Sequence, residues 1–142
     1  MEYLFRGRTN TIVDEWIYGE HYTFKTNAFI SPSGAPCSLS VYPSSVGLWS
    51  GLTTTGKDPV KVFEGDIIAT LDTNGVVVRS GIVRLGRYNS DGDHHMGFYV
   101  EWVSGTAKSA TRKDLIYWIE YAGAQVIGNT TDNPELVGVT EK

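Results

Sequence analysis

The chain has 142 residues, 41% of them hydrophobic and 20% charged, with a formal net charge of −4. This is the size and make-up of one globular domain with room for a real core. Residues 1–71 hold five basic and seven acidic side chains and residues 72–142 hold seven and nine, so neither half has the basic excess expected of a phosphate-binding surface.

The single cysteine, Cys37, excludes a disulfide within the chain and a cysteine-based zinc site. The opening residues, MEYLFRGRTN, lack a basic-then-apolar leader pattern, and no run approaches the ~20 apolar residues of a membrane span. A cytoplasmic protein without a membrane role is the expectation. Sixteen glycines, eight tyrosines and four tryptophans point to short strands joined by turns.

In chain order, EWIYGEHYTF (15–24) reads as a strand with an irregularity at Gly19. Residues 31–40, SPSGAPCSLS, read as a Pro/Gly/Ser loop. VGLWSGL gives a strand ending at Gly51, and TTTGKDP a turn. VFEGDIIATL reads as two strands around a Glu-Gly-Asp kink. Asn74-Gly75 in DTNG predicts a hairpin whose partner strand is VVVRSGIVRLGRY, with a bulge or bend at Gly81. NSDGDHH (89–95) reads as a loop tip. GFYVEWV alternates cleanly, with Phe98, Val100 and Trp102 on one face.

In TRKDLIYWIEY, Thr111 and Asp114 resemble a weak capping box. Ile116, Trp118 and Ile119 hold no helical stripe, so a single helical turn leading into a strand is expected. AQVIGN is the last strand. No repeat or linker divides the chain, so residues 1–142 read as one domain. The pattern predicts a mainly β fold, a small, partly open barrel of about six to eight strands with short helical turns.

Four stretches occur in a telling order: YLFRGRTN…EWIYGEHY, VGLWSGLTTTGK, VFEGDII and VIGNTTDNPEL. This series resembles the YopX-like proteins of bacteriophages and prophages. In that family Phe-Arg-Gly leads to a Glu-Trp-Val-Tyr-Gly strand. A Val-Gly-Gln-aromatic-Thr-Gly-Leu segment follows, then a Gly-Lys turn, Tyr/Phe-Glu-Gly-Asp-Ile-Val, and a close in Ile-Gly-Asn and Asn-Pro-Glu-Leu. Here Leu48 stands for the family's Gln and Ser50 for its Thr, and the turn before Val62 is longer. The resemblance covers nearly the whole chain. It implies a small β-rich, phage-associated protein in the host cytoplasm, with no cofactor and no established activity.

Two motifs read as structural. Gly65 and Asp66 suit a tight turn whose carboxylate bonds backbone amides; an SH3-like barrel offers the analogy. Gly128, Asn129, Asn133 and Pro134 suit a clamp that docks the tail, since Asn bonds its own backbone and the residue before Pro avoids helix.

The candidates for chemistry are each incomplete. GLTTTGKD (51–58) nearly spells a phosphate-binding loop, but Asp58 replaces the hydroxyl and Pro59 follows. Glu64 and Asp66 stand two apart, as paired carboxylates would, with Gly65 between them. Asp91, Asp93, His94 and His95 have the donor types for a metal, yet one loop rarely closes a site, and no metal is assigned. Arg79, Arg84 and Arg87 beside Tyr88 carry the chemistry of single-strand nucleic-acid binding. Arg84 alternates in face with the other two unless a bulge intervenes. The aromatics, Trp49 among them, suit packing or a subunit interface. Cys37 has no basic neighbour to make it a nucleophile.

The expectation is therefore a non-enzymatic accessory protein that binds a host or phage protein. Glu64, Trp49 and the three arginines are candidate contacts. A nucleic-acid regulator using the Arg79/Arg84/Arg87 strand is the alternative, and open sheet edges suggest a homo-oligomer.

Overall fold

A computed structural model describes residues 3–10, 14–24, 27–32, 39–90, 92–105 and 112–137. The described strands form two antiparallel sheets, and no closed barrel exists among them. The mainly β class holds. Ten strands are present among the described residues, more than the turn spacing suggests, because the first third of the chain is richer in short strands than its loop-like composition implies. The residues group into two compact units, Met1–Gly51 and Leu52–Lys142.

In the first unit β1 (Phe5–Arg8), β2 (Trp16–Phe24), β3 (Ala28–Pro32), β4 (Leu39–Val41) and β5 (Gly47–Thr53, whose last two residues belong to the second unit) lie in the order β4-β3-β2-β1-β5. The β2–β3 register shifts between Gly19 and His21, the irregularity that Gly19 predicts. Ile17, Ala28, Ile30 and Val41 form a small buried core. A 3₁₀ turn, Pro43–Ser45, precedes β5. The segment read as a loop over 31–40 starts inside β3 and ends inside β4, while residues 33–38, Cys37 included, lie outside the described residues.

The second unit contains β6 (Lys61–Phe63), β7 (Asp66–Leu71), β8 (Val77–Ser90), β9 (Asp93–Gly105) and β10 (Gln125–Asn129), with a four-stranded sheet ordered β10-β7-β8-β9. β7 buries Asp66 through Ala69 continuously, as befits a central strand. The hairpin at residues 72–75 forms: Gly75 N–H donates to the Asp72 carbonyl, and Asp72 Oδ1 accepts the N–H groups of Asn74 and Val76. The register slips at Val78 against β7, and again between Ser80 and Gly81 against β9. Val62, Ile68, Val83, Val100, Leu115, Trp118, Ile119 and Ala124 make the core, with Phe98 and Trp102 packed on it.

Two expectations need correction. Residues 115–116 are helical and continue as a π-helix, Tyr117–Tyr121, with no strand in that segment. The apolar stripe is Leu115, Trp118 and Ile119, spaced i, i+3, i+4; Ile116 points outward and is half exposed. Thr111, half of the supposed capping box, lies outside the described residues. Within residues 89–95 the loop is shorter than expected. Asn89 pairs with His94 and Ser90 with Asp93, so strand continues to a turn at Gly92, while Asp91 lies outside the described residues. Asn89 and Asp93 to His95 are polar because they are exposed, whereas Ser90 is buried.

The β8–β9 ribbon does not run straight. Gly86 and Gly97 face each other across the pair, with φ of 155° and 147°. Both values suit glycine far better than residues with a Cβ. Beyond this pair the ribbon folds back. The Tyr88 ring stacks on Tyr99 at 4.9 Å, although Tyr99 lies four residues beyond the strand partner of Tyr88, which is His95. In flat strands that offset separates side chains by about 13 Å. At the tip Ser90 Oγ accepts the Lys113 N–H at 2.9 Å, and the Lys113 carbonyl accepts the Val100 N–H at 2.9 Å. The tip is thereby returned to the level of Val100.

Candidate interaction surface

The second unit presents two distinct surfaces. The first is the open end of the β7–β8 hairpin. Leu71 pairs with Val77, and the bulge leaves Val78 without a partner on β7. Leu71, Val76, Val77 and Val78 are 42–58% exposed. Isolated exposed aliphatics are ordinary, but here four are gathered at one hairpin end.

Arg79, paired with Thr70, stands on the other face of the hairpin from the Leu71–Val77 pair. Its guanidinium carbon lies 5.1 Å from the Trp118 ring centre and 6.0 Å from that of Trp102. The two indoles meet edge to face at 4.7 Å, and both direct their N–H groups at the Arg112 carbonyl. Such cation–ring contacts contribute about 0.5–2 kcal/mol each, more when water is excluded. Arg79 Nε is buried, with no hydrogen-bond partner among the described residues.

The second surface is the folded-back limb. Arg87, Tyr88, Asn89, His94, His95 and Met96 line an open groove of about 550 Å³. Tyr88 stacks between His95, at 5.3 Å, and Tyr99. Desolvation, and then the negative charge of Asp114, push the Tyr88 hydroxyl above its ordinary pKa.

The three arginines are not used alike. Arg79 lies on tryptophans. Arg84 pairs with Glu101 at 2.8 Å, both half exposed. Arg87 is exposed and faces the groove. They do not make one continuous cationic strip.

Glu64 and Asp66 also part ways. Glu64 is half buried in the turn between β6 and β7. Asp66 is 2% exposed, and its Oδ2 accepts the Phe63 N–H at 2.7 Å. Gly65, between them, donates to the Val83 carbonyl and accepts from Thr130, so the turn ties β8 to the end of β10. Paired acid–base chemistry has no free second carboxylate here.

At the other end of β10, Asn129 Oδ1 accepts the N–H groups of Thr131 and Asp132. Asn133 Oδ1 accepts the Asn129 N–H, and Pro134 opens a 3₁₀ turn, Pro134–Val137. A Cβ on Gly128 would lie 2.6 Å from Asn133 Oδ1 and 3.1 Å from Leu136 Cδ1, so the turn packs directly over Gly128.

Trp49 sits half buried in β5, its backbone N–H donating to the Leu4 carbonyl. Lys57 and Asp58 are exposed in a loop whose neck is closed by Thr54 and Val60, and β6 follows it where a phosphate-binding loop needs a helix. Among the described residues no three metal-ligating side chains converge. His94 and His95 are neighbours on a strand and so point to opposite faces. Among those residues no helix is long and apolar enough to cross a membrane.

The exposed valines carry no sequence signal of their own, because VVV has the pattern of an ordinary hairpin strand. The Arg79–Trp118 contact joins residues far apart in the chain and leaves no local signal. No protein-family model, curated protein or solved structure matches the chain.

Proposed function

We propose that this chain is a phage or prophage accessory protein of YopX-like type, acting without catalysis as a protein-interaction module in the bacterial cytoplasm. The ordered series of motifs supports the lineage. The single observation that carries the interaction reading is the exposed aliphatic end of the β7–β8 hairpin, Leu71 with Val76, Val77 and Val78. Surfaces of this kind on a small domain serve partner binding.

The nucleic-acid alternative draws less support, because Arg84 is engaged by Glu101 and Arg79 by tryptophans, which leaves no shared phosphate path. Association with a second copy is part of the same proposal, since β10 stands at a sheet edge.

The test is affinity capture of the tagged chain from bacterial lysate, with and without nuclease, beside a Val76→Ser/Val77→Thr/Val78→Ser variant. The expected result is one protein in fixed proportion, indifferent to nuclease and lost with the variant. Recovery only without nuclease, or turnover of a defined substrate, would sink the reading. Light scattering addresses self-association directly, and a monomer at all concentrations defeats it.

A further inference from the structure

We infer that the ribbon end formed by Arg87–Ser90 and Asp93–Met96 is a hinged flap: it swings open as one paired body about Gly86 and Gly97 and uncovers Tyr99, while the rest of the sheet stays folded. The inference goes beyond the interaction-module reading and does not depend on it.

The hinge is a line across the ribbon, because Gly86 and Gly97 are strand partners. Their φ values, 155° and 147°, lie close to full extension on the side open to glycine. A rotation of roughly 70° through 180° takes each to the ordinary strand value near −140°. The corner thus unbends without either residue crossing a forbidden region. No packed atom stands in the way, since nothing lies within 4 Å of where a Cβ would be at either glycine. Hinges are short positions of this kind that absorb a large backbone change.

The latch is small. No side chain of the flap belongs to either buried core. Among the described residues two contacts tie it down: the Tyr88 ring on the Tyr99 ring at 4.9 Å, and the Ser90 hydroxyl, whose Oγ accepts the Lys113 N–H at 2.9 Å. Arg87, Asn89, Asp93, His94, His95 and Met96 are exposed. An element with so few buried apolar contacts opens far below the cost of global unfolding. The pairs from Arg87–Met96 to Ser90–Asp93, and the Tyr88–His95 stack at 5.3 Å, lie inside the flap and travel with it. Opening therefore breaks the latch and leaves the ribbon paired.

What the flap covers gives the device its use. Tyr99 bridges to Asp114, beside the Lys113 N–H that Ser90 holds. In the closed state the face of Tyr99 is filled by the chain's own Tyr88, a built-in competitor. A partner that reads that face binds only the open form, and its apparent affinity falls by the open fraction.

The experiment is a distance measurement by double electron–electron resonance on the full chain. The single cysteine is removed by Cys37→Ser, and nitroxide labels are placed at Asn89→Cys and Ile116→Cys, both exposed positions. Ile116 lies three residues after Lys113, so the closed flap gives a short distance. Four residues of strand span about 13 Å, so opening carries the Asn89 label away by a distance of that order. The expected result is two distance populations, with Ser90→Ala and Tyr88→Ala each raising the ratio of long to short about three- to tenfold. A second label pair, Arg87→Cys with Met96→Cys, should keep its dipolar broadening throughout, because the ribbon stays paired. Relaxation dispersion on the unsubstituted chain should give one exchange rate at Tyr88, Tyr99 and Lys113 and none at Ile68 and Val83, and it needs no variant to fold. A single short distance in the labelled chain and in both variants, together with no dispersion at Tyr88, Tyr99 and Lys113, overturns the flap and leaves a rigid corner. Broadening lost at the second pair as the first distance lengthens overturns it too, since the tip then frays in place of swinging.

Discussion

Asn129 and Asn133 exchange hydrogen bonds in both directions: the Asn129 N–H donates to Asn133 Oδ1 at 3.2 Å, and the Asn133 N–H donates to the Asn129 carbonyl at 2.8 Å. This reciprocity closes β10 and seats the turn over Gly128. Asn133→Ala removes one acceptor and should cost about 1–2 kcal/mol. Gly128→Ala must also push Asn133 and Leu136 away and should cost at least as much. Urea denaturation should show lower midpoints at unchanged slope; a midpoint within error of wild type for both variants would show that the clamp contributes nothing.

The Asp66 carboxylate is a structural group, and its loss should be felt as instability. Asp66→Ala strands the buried Phe63 N–H and opens a turn that ties β8 to β10, at a cost of about 2–4 kcal/mol. Thermal and urea unfolding measure it. An unchanged stability would reopen the question of what a buried carboxylate does there.

Much of this part of the fold was legible because its signals are local. Asn74-Gly75, the Glu-Gly-Asp kink and the Gly19 irregularity each act within a few residues of themselves. The helix over 115–121 is hidden when the stripe is sought from Ile116, because it begins one residue earlier at Leu115. The polar stretch 89–95 suggests a loop because composition registers exposure, and an exposed strand end such as Asp93 to His95 looks the same. The Gly86–Gly97 corner and the Arg84–Glu101 pair depend on register, which no single strand announces. The seating of Arg79 on Trp118 depends on tertiary packing alone.

The glycine corner predicts a local effect. Around both Gly86 and Gly97 there is open space, so a Cβ meets no clash and the penalty comes from backbone conformation alone. Gly97→Ala should cost about 1–2 kcal/mol, felt as loosening of the limb over 87–96. Hydrogen exchange at Tyr88 and His95 should quicken while that of Val83 and Ile68 holds. Uniform change across the sheet would argue against a corner.

Alkaline pH offers a further check through Tyr88. Its hydroxyl titrates above the ordinary value of 10.0, first through desolvation and then through Asp114. The folded state therefore holds the phenolic proton more tightly than the unfolded chain. The resulting stabilisation is complete below about pH 10 and is lost as pH rises through the folded-state value. Tyr88→Phe keeps the ring stack and removes this term. Wild type should lose stability relative to Tyr88→Phe above about pH 10, and a constant difference between them would refute the assignment.

Both neighbours of strand β7 follow it in sequence, at very different distances. Its β8 neighbour follows after one tight turn, but β10 pairs Asn129 with Asp66, about sixty residues later in the chain. Ribosomal synthesis therefore leaves one flank of the fully apolar Ile67-Ile68-Ala69 stretch bare until Gln125–Asn129 has emerged. High contact order of this kind slows folding and lengthens exposure to self-association. Truncation before β10 should consequently cost yield through aggregation more than it costs the hairpins their shape.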